Sequence, residues 1–278
     1  MAGQSFRAAL IQLTSGRDVA RNLATAGDLI REAAAGGAAF VLTPEMTNIL
    51  ETDRARLMAN VGEERDDPAP AFFSRLAEEL GIHLLVGSLA LRSGADRLVN
   101  RSLLLAPTGE TVLRYDKIHL FDVDLADGQS FRESRTYRGG ERAALHDLPW
   151  GRFGATVCYD VRFPALYRLL SRAGALFISV PSAFTKLTGE AHWHVLLRAR
   201  AIENGAYILA PAQSGRHESG RETFGHSLAV DPWGTVVGEL RHDPGVVFVT
   251  VDPGLANAAR ERIPALQGER PWTLAEHR

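Results

Sequence analysis

Residues 151–164, GRFGATVCYDVRFP, decide how this chain folds. Apart from Arg152, the first eight side chains are small or apolar and read as a buried strand ending at Cys158. Pro164 opens a helix that runs to Arg172, and proline is tolerated at the first helical position. The same alternation of strand and helix recurs in both directions. Upstream, FRAALIQL (6–13) reads as a strand. Residues 18–35 place Val19, Leu23, Ala26, Leu29, Ile30 and Ala33 on one helical face and end at Gly36-Gly37. AFVLT (39–43) is a short buried strand running into Pro44-Glu45. A helix carrying Phe72, Phe73, Leu76 and Leu80 stops at Gly81 and feeds IHLLVGSLAL (82–91). SLLLAPTG (102–109) and ETVLRYDKIHL (110–120) form a hairpin across Pro107-Thr108-Gly109. Residues 121–140 are polar and aperiodic and read as a long loop, of the kind that often carries function.

Downstream of the quoted stretch come a strand at ALFISVP (175–181) and a helix over 190–204, with Trp193, Leu196, Leu197 and Ile202 inward. AYILAPAQ (206–213), HSLAVDP (226–232) and VVFVTVD (246–252) read as strands, with a hairpin turn at Asp231-Pro232-Trp233-Gly234. No linker, low-complexity stretch or repeat interrupts the pattern, so the expectation is a single α/β domain over residues 1–278.

Bulk composition removes whole classes of function. With 278 residues, 45% hydrophobic and 23% charged, the chain can bury a core without disulfides or a structural metal. A net charge of -2 and a pI near 6.5 argue against nucleic acid as a partner, because phosphate binding shows as a basic excess. One cysteine excludes an intramolecular disulfide. The opening MAGQSFR lacks a basic start before an apolar run, so no secretory signal is expected. Apolar runs are short and broken, so no membrane span is expected. The composition is that of a soluble, cytoplasmic protein.

Three residues stand out at strand ends. A buried cysteine is most often a small core hydrophobe. Cys158, however, sits where a strand turns sharply into a helix, a place that exposes a nucleophile and aims backbone N–H groups at it. Glu45 alone reads as a surface carboxylate, and Lys117, beside Tyr115 and Asp116, as a solvated charge. Both nevertheless lie at the carboxyl ends of strands, where α/β sheets place their ligand crevices. Together they suit amide chemistry. The carboxylate takes the thiol proton and returns it to the leaving amine. The ammonium, with the backbone N–H of Tyr159, stabilises the oxyanion.

Rival readings fare worse. His192 and His194, as metal ligands, would point to different helix faces. With no HExxH and no Cys/His ligand cluster, no metal site is expected. A Cys–His enzyme with His119, His217 or His226 as base is open on counting, without a local signature at Cys158. Gly36-Gly37 and Gly139-Gly140 fit no nucleotide-binding pattern.

The segments FVLTPEM (40–46), YDKIHLFDVD (115–124) and VCYDVRFP (157–164) resemble the three motif regions of the nitrilase superfamily of carbon–nitrogen hydrolases, and the likeness runs from Phe6 to about Trp272. PSAFTKLTGEAHWHVLLRARAIE (181–203) and GHSLAVDPWGTVV (225–237) resemble its Nit branch. The resemblance implies an α-β-β-α sandwich, a catalytic Glu45–Lys117–Cys158 triad and a supporting Glu133. It also implies a homodimer or larger assembly and no metal or organic cofactor. The implied substrate is a small amide: deaminated glutathione, or alternatively 2-oxoglutaramate or a carbamoyl compound. AQSGRH (212–217) leans toward the first and LADGQSFRES (125–134) toward the second. Arg162 and Phe184 are the expected substrate contacts, Arg162 pairing with a carboxylate or forming a structural salt bridge to Asp160 or Glu203. A true nitrilase would place Trp-Glu after the cysteine, whereas Tyr159-Asp160 stands here. A catalytically silent scaffold would have no reason to keep three different reactive side chains.

Overall fold

The computed structural model describes residues 4–126 and 128–275, so the first three residues of MAGQSFR and Asp127 of the 125–134 loop lie outside it. In chain order the first half comprises β1 (Phe6–Gln12), α1 (Val19–Ala35), β2 (Phe40–Leu42), α2 (Arg54–Asn60), α3 (Pro68–Leu80), β3 (His83–Arg92), β4 (Leu98–Leu105) and β5 (Thr111–Asp116). A small hairpin, β6 (Asp122–Asp124) and β7 (Ser130–Arg132), follows. The second half comprises β8 (Ala144–Leu148), β9 (Gly151–Ala155), α4 (Pro164–Arg172), β10 (Phe177–Ser179), α5 (Lys186–Asn204) and β11 (Tyr207–Ala210). It ends with β12 (Ser214–Arg216), β13 (Glu222–Phe224), β14 (Leu228–Val230), β15 (Val236–Glu239), β16 (Gly245–Val251) and α6 (Pro253–Arg262).

Two six-stranded sheets result, ordered β16-β1-β2-β3-β4-β5 and β15-β14-β11-β10-β9-β8. Each has three parallel strands at its centre, β1-β2-β3 and β9-β10-β11, flanked by antiparallel ones. Strands covered on both faces read as continuous apolar runs, and β1 shows why. Phe6, Ala8 and Leu10 face the other sheet, while Ala9 and Ile11 join the layer under the helices. Between the sheets, Phe6 meets Phe177 at 5.4 Å and Phe40 meets Phe153 edge-on at 5.6 Å. Outside the first sheet, Leu23, Ile30, Phe73 and Leu76 of α1 and α3 pack on Ile11, Val41 and Leu84. Outside the second lie Tyr167, Leu170, Trp193 and Leu197 of α4 and α5. The layering is α-β-β-α, as expected.

Aspartates start four of the six α-helices among the described residues. Asp18, Asp53, Asp67 and Asp252 each accept a backbone N–H of the first turn, satisfying a donor that the helix itself cannot pair.

Several boundaries differ from the sequence reading. The strand at 151–158 stops at Ala155, and Cys158 opens a 3-10 turn, Cys158–Arg162. The segment 121–140 holds the β6–β7 hairpin and a 3-10 turn at Glu133–Arg135, where a featureless loop was expected. Helix α5 starts at Lys186, one turn earlier than its apolar spacing indicates. Its Ile202, read as inward, is 52% exposed, and Leu196 is only partly buried. α2, β8, α6 and the β12–β13 hairpin are short or polar and give no periodic signal.

Gly87 leaves no room for a side chain between the end of β2 and the segment after β10. There β3 slips register between Val86 and Leu89, and a β-carbon on Gly87 would lie 1.7 Å from the Thr43 carbonyl oxygen and 2.6 Å from Pro181 Cβ. Thr43 leads into Glu45, and the Pro181 carbonyl accepts the N–H of Cys158 at 2.9 Å. Gly87→Ala should therefore cost about 3 kcal/mol, at the upper end of ordinary overpacking, and displace both reactive residues. Urea unfolding together with an amidase assay checks this. Unchanged midpoint and rate would show that the backbone yields at no cost.

Candidate active site

The site is built where strand ends of the two sheets converge. β2 delivers Glu45 through Thr43-Pro44, and the turn after it is fixed by hydrogen bonds. Thr47 N–H donates to Ser88 O, and the Thr47 hydroxyl donates to Pro44 O. Gln213 reaches across from the second half to donate to Glu45 O at 3.0 Å. β5 delivers Lys117, whose N–H donates to Asn100 O. Gly140 closes on that strand, its N–H donating to Lys117 O at 2.8 Å. A β-carbon at Gly140 would stand 2.1 Å from Asp116 O, so this glycine serves close approach. Glu133 comes from the 3-10 turn after β7.

Lys117 Nζ donates to Glu45 Oε1 at 2.8 Å and to Glu133 at 2.9 and 3.1 Å. All three are largely withdrawn from water, and their remaining valences are filled. Asn100 Nδ2 donates to Glu45 at 2.8 Å and Glu133 at 3.3 Å. Ala183 N–H donates to Glu45 Oε2 at 2.8 Å, and Phe121 N–H to Glu133 at 2.6 Å. Burial of this kind is tolerable only when charges are paired and hydrogen-bonded.

Cys158 has φ of 47°, a left-handed conformation that is uncommon for a non-glycine residue. Asp160 holds the turn. Its carboxylate accepts Val157 N–H at 2.9 Å and Tyr115 OH at 2.6 Å on one oxygen. The other oxygen accepts His119 N–H at 3.0 Å and meets His119 Nδ1 at 2.7 Å. Asp160 thus locks the cysteine turn to the chain on either side of Lys117.

Protonation follows from the surroundings. Burial, followed by the nearby Glu45 carboxylate, pushes the Cys158 thiol up to about 12. Burial also raises Glu45, but Lys117 outweighs it and holds the carboxyl below its ordinary value. Burial lowers Lys117, yet Glu133 and Glu45 keep its ammonium well above the usual range. At neutral pH the site holds a thiol, a carboxylate and an ammonium, so the cysteine attacks only as a base removes its proton.

Glu45, Lys117, Glu133, Cys158, Tyr159 and Phe184 all line one cavity of about 290 Å³, with Phe121, Phe131 and Met46 among its apolar walls. Arg162, the expected carboxylate partner, is not in that lining. It stacks over the Tyr159 and Phe184 rings, at 5.9 and 5.2 Å, and its Nη1 lies 3.3 Å from His192 Nδ1. Glu203 pairs instead with Arg200, and Asp160 with Tyr115 and His119, so neither expected salt bridge to Arg162 forms. The lining includes Arg221, which the sequence reading did not single out. Asn100 and Asp160 were missed as well. An asparagine inside an apolar strand, where its type is depleted, is the one local signal for Asn100. Asp160 was read only as a possible salt-bridge partner of Arg162, whereas it pairs with Tyr115 and His119.

None of the described histidines lines the cavity, which removes the Cys–His reading. His119 is stacked on Phe163 at 3.5 Å. His194 and His226 converge on Glu239 at 3.0 and 2.5 Å. With that carboxylate they place three ligand-type atoms within 4.8 Å of one another, a cluster that neighbouring positions in the sequence could not reveal. His217 is buried between Ser15 O at 2.8 Å and Thr223 Oγ1 at 2.7 Å.

The chain matches the carbon–nitrogen hydrolase family over residues 7–261. It is 43% identical over 265 residues to the deaminated glutathione amidase of Yersinia enterocolitica, covering 94% of this chain and 92% of that protein. It is 38% identical over 269 residues to the deaminated glutathione amidase of Homo sapiens, covering 95% and 82%. Among solved structures, the C. elegans NitFhit protein superposes with a TM-score of 0.90 at 34% identity, over 97% of this chain and 66% of that one. A glutamate-to-glutamine mutant of the amidase from Nesterenkonia sp. AN1, carrying the acetamide moiety of fluoroacetamide on its active-site cysteine, gives 0.82 at 27% identity, over 97% and 95%.

His217 generates a stability prediction. Burial lowers its pKa from 6.5 to about 4, so between those values the unfolded chain binds the proton and the folded chain does not. Stability should fall as pH drops from about 6.5 to 4, by about 3 kcal/mol from this residue. Chemical denaturation across that range should show the slope in wild type and a shallower one in His217→Gln. An equal slope in both would refute the assignment.

Proposed function

Since this chain belongs to the carbon–nitrogen hydrolase family, we propose that it hydrolyses deaminated glutathione to 2-oxoglutarate and cysteinylglycine through a thioester on Cys158. The observation that carries this reading is the meeting of Glu45, Lys117 and Cys158, all buried, in the lining of one cavity. The names of the relatives at 38–43% identity support the substrate.

Glu45 accepts the Cys158 proton as the sulfur bonds to the amide carbon. The carbonyl electrons move onto oxygen, where Lys117 and the N–H of Tyr159 stabilise the negative charge. The oxyanion collapses, the C–N bond breaks, and Glu45 returns its proton to the departing nitrogen. Water then gives a proton to Glu45 as its oxygen attacks the thioester, the C–S bond breaks, and Glu45 passes that proton to the departing sulfur, releasing the acid and restoring the thiol. Glu133 holds Lys117 in place and keeps its ammonium charged. Phe184 and Tyr159 wall the cavity beside the reacting bond, and no metal or organic cofactor takes part in the scheme.

The reading includes a cytoplasmic location, where a lone free thiol survives in reduced form. It also includes pairing into a homodimer or larger assembly. Leu169 of α4 and Val195 and Ile202 of α5 are 56%, 69% and 52% exposed, and apolar surface of this sort favours association. Sedimentation at micromolar concentration should give a species above the 30.3 kDa of one chain. A 30.3 kDa species alone would count against pairing.

Cys158→Ala should abolish turnover while leaving the fold intact. Glu45→Gln should slow it by roughly 10²–10⁴-fold, the usual worth of a positioned base. Lys117→Arg should fail too, because a planar fork cannot replace a compact ammonium. Deaminated glutathione should give the higher kcat/KM, with 2-oxoglutaramate below it. A clear preference for 2-oxoglutaramate would make the protein an ω-amidase. Turnover of carbamoyl amino acids alone would overturn both substrates, and residual Cys158→Ala activity would overturn the mechanism.

A further inference from the structure

Among the cations that line the cavity, Lys117 faces two carboxylates, Arg132 is bidentate to Asp124, and Arg54 stands in solvent. Arg221 differs from all of them. It is partly buried, and among the described residues no carboxylate forms an ion pair with it. One of its N–H groups donates to Ala183 O, and its Cζ lies 5.6 Å from the Phe131 ring centroid. Its Nε is fully buried without an acceptor. A buried guanidinium N–H left without an acceptor is costly, and the planar fork matches a carboxylate with two parallel hydrogen bonds.

Its position suits one particular carboxylate. Ala183 accepts from Arg221 through its carbonyl and donates to Glu45 through its N–H. The guanidinium therefore sits one residue's width from the proposed base. An acyl chain with four carbon–carbon bonds between a free carboxylate and the scissile carbonyl spans about 5 Å. We propose that Arg221 anchors the free carboxylate on the acyl half of the substrate, selecting short amides that end in a carboxylate. This rests on the reaction proposed above, with Arg221 in the place expected of Arg162. The competing role is charge balance alone, offsetting the second carboxylate around Lys117.

Three amides separate the possibilities. Glutaramate carries its carboxylate on the acyl side, N-butanoylglycine on the amine side, and pentanamide carries none. In Arg221→Met, kcat/KM for glutaramate relative to pentanamide should fall by roughly 30-fold or more, mostly through KM, the usual size for losing one partner of a buried charge pair. The ratio for N-butanoylglycine should stay within about threefold. Arg221→Lys keeps the charge and loses the fork, so it should recover only part of the ratio. Equal losses on all three amides, or full recovery with lysine, would assign Arg221 to charge balance and overturn the anchor. A loss confined to N-butanoylglycine would place the carboxylate on the wrong half. Wild type that turned over deaminated glutathione but none of these amides would leave the proposed reaction standing and move the decision to binding. Calorimetry of glutarate with Cys158→Ala, with and without Arg221→Met, then still decides. Binding weakened by a similar factor supports the anchor, and unchanged affinity overturns it.

Discussion

The arrangement depends on one buried ion pair. Lys117 and Glu45, 2.8 Å apart and almost wholly removed from water, could not stay charged without every neighbouring donor and acceptor in place. Asn100, Ala183, Phe121 and Glu133 supply those partners. They come from β4, from the turn after β10, from the chain just beyond β5 and from the turn after β7. A pair satisfied from so many directions constrains where all of these elements must end.

The same pair governs the nucleophile. A cysteine beside a carboxylate and out of water is a poor thiolate, and Cys158 is accordingly held as a thiol. Lys117 does not ionise the sulfur outright. It keeps Glu45 deprotonated and leaves the sulfur to ionise only as it attacks. A reactive thiolate is then never exposed to oxidation at rest, in keeping with the family chemistry of carbon–nitrogen hydrolysis.

Much of this was legible in the residues. Period-two and period-3.6 apolar patterns located the long elements, and the turn GRFGATVCYDVRFP marked the cysteine. Glu45 and Lys117 could be suspected from their strand ends, and the motif resemblance brought in Glu133. What stayed illegible shares one physical cause, namely contacts made far along the chain. Asn100 earns its place by touching Glu45 and Glu133, Asp160 by touching Tyr115 and His119, and Arg221 by reaching Ala183. None of these pairings leaves a trace in local spacing. Arg162 stands four residues after the nucleophile, yet its side chain turns onto two aromatic rings.

The pairing of β16 with β1, from Phe6↔Val251 to Gln12↔Gly245, bears on how the protein is made. On the ribosome β1 emerges more than 200 residues before its antiparallel partner, so the first sheet keeps an open edge until β16 appears. Edge strands of this apolar character invite wrong partners, and sheets closed by distant segments form slowly. Glu45 follows β2, which is paired directly to β1. The sheet that carries Glu45 is therefore not closed until β16 has emerged, and a nascent fragment carries its nucleophile beside a base on an unfinished sheet.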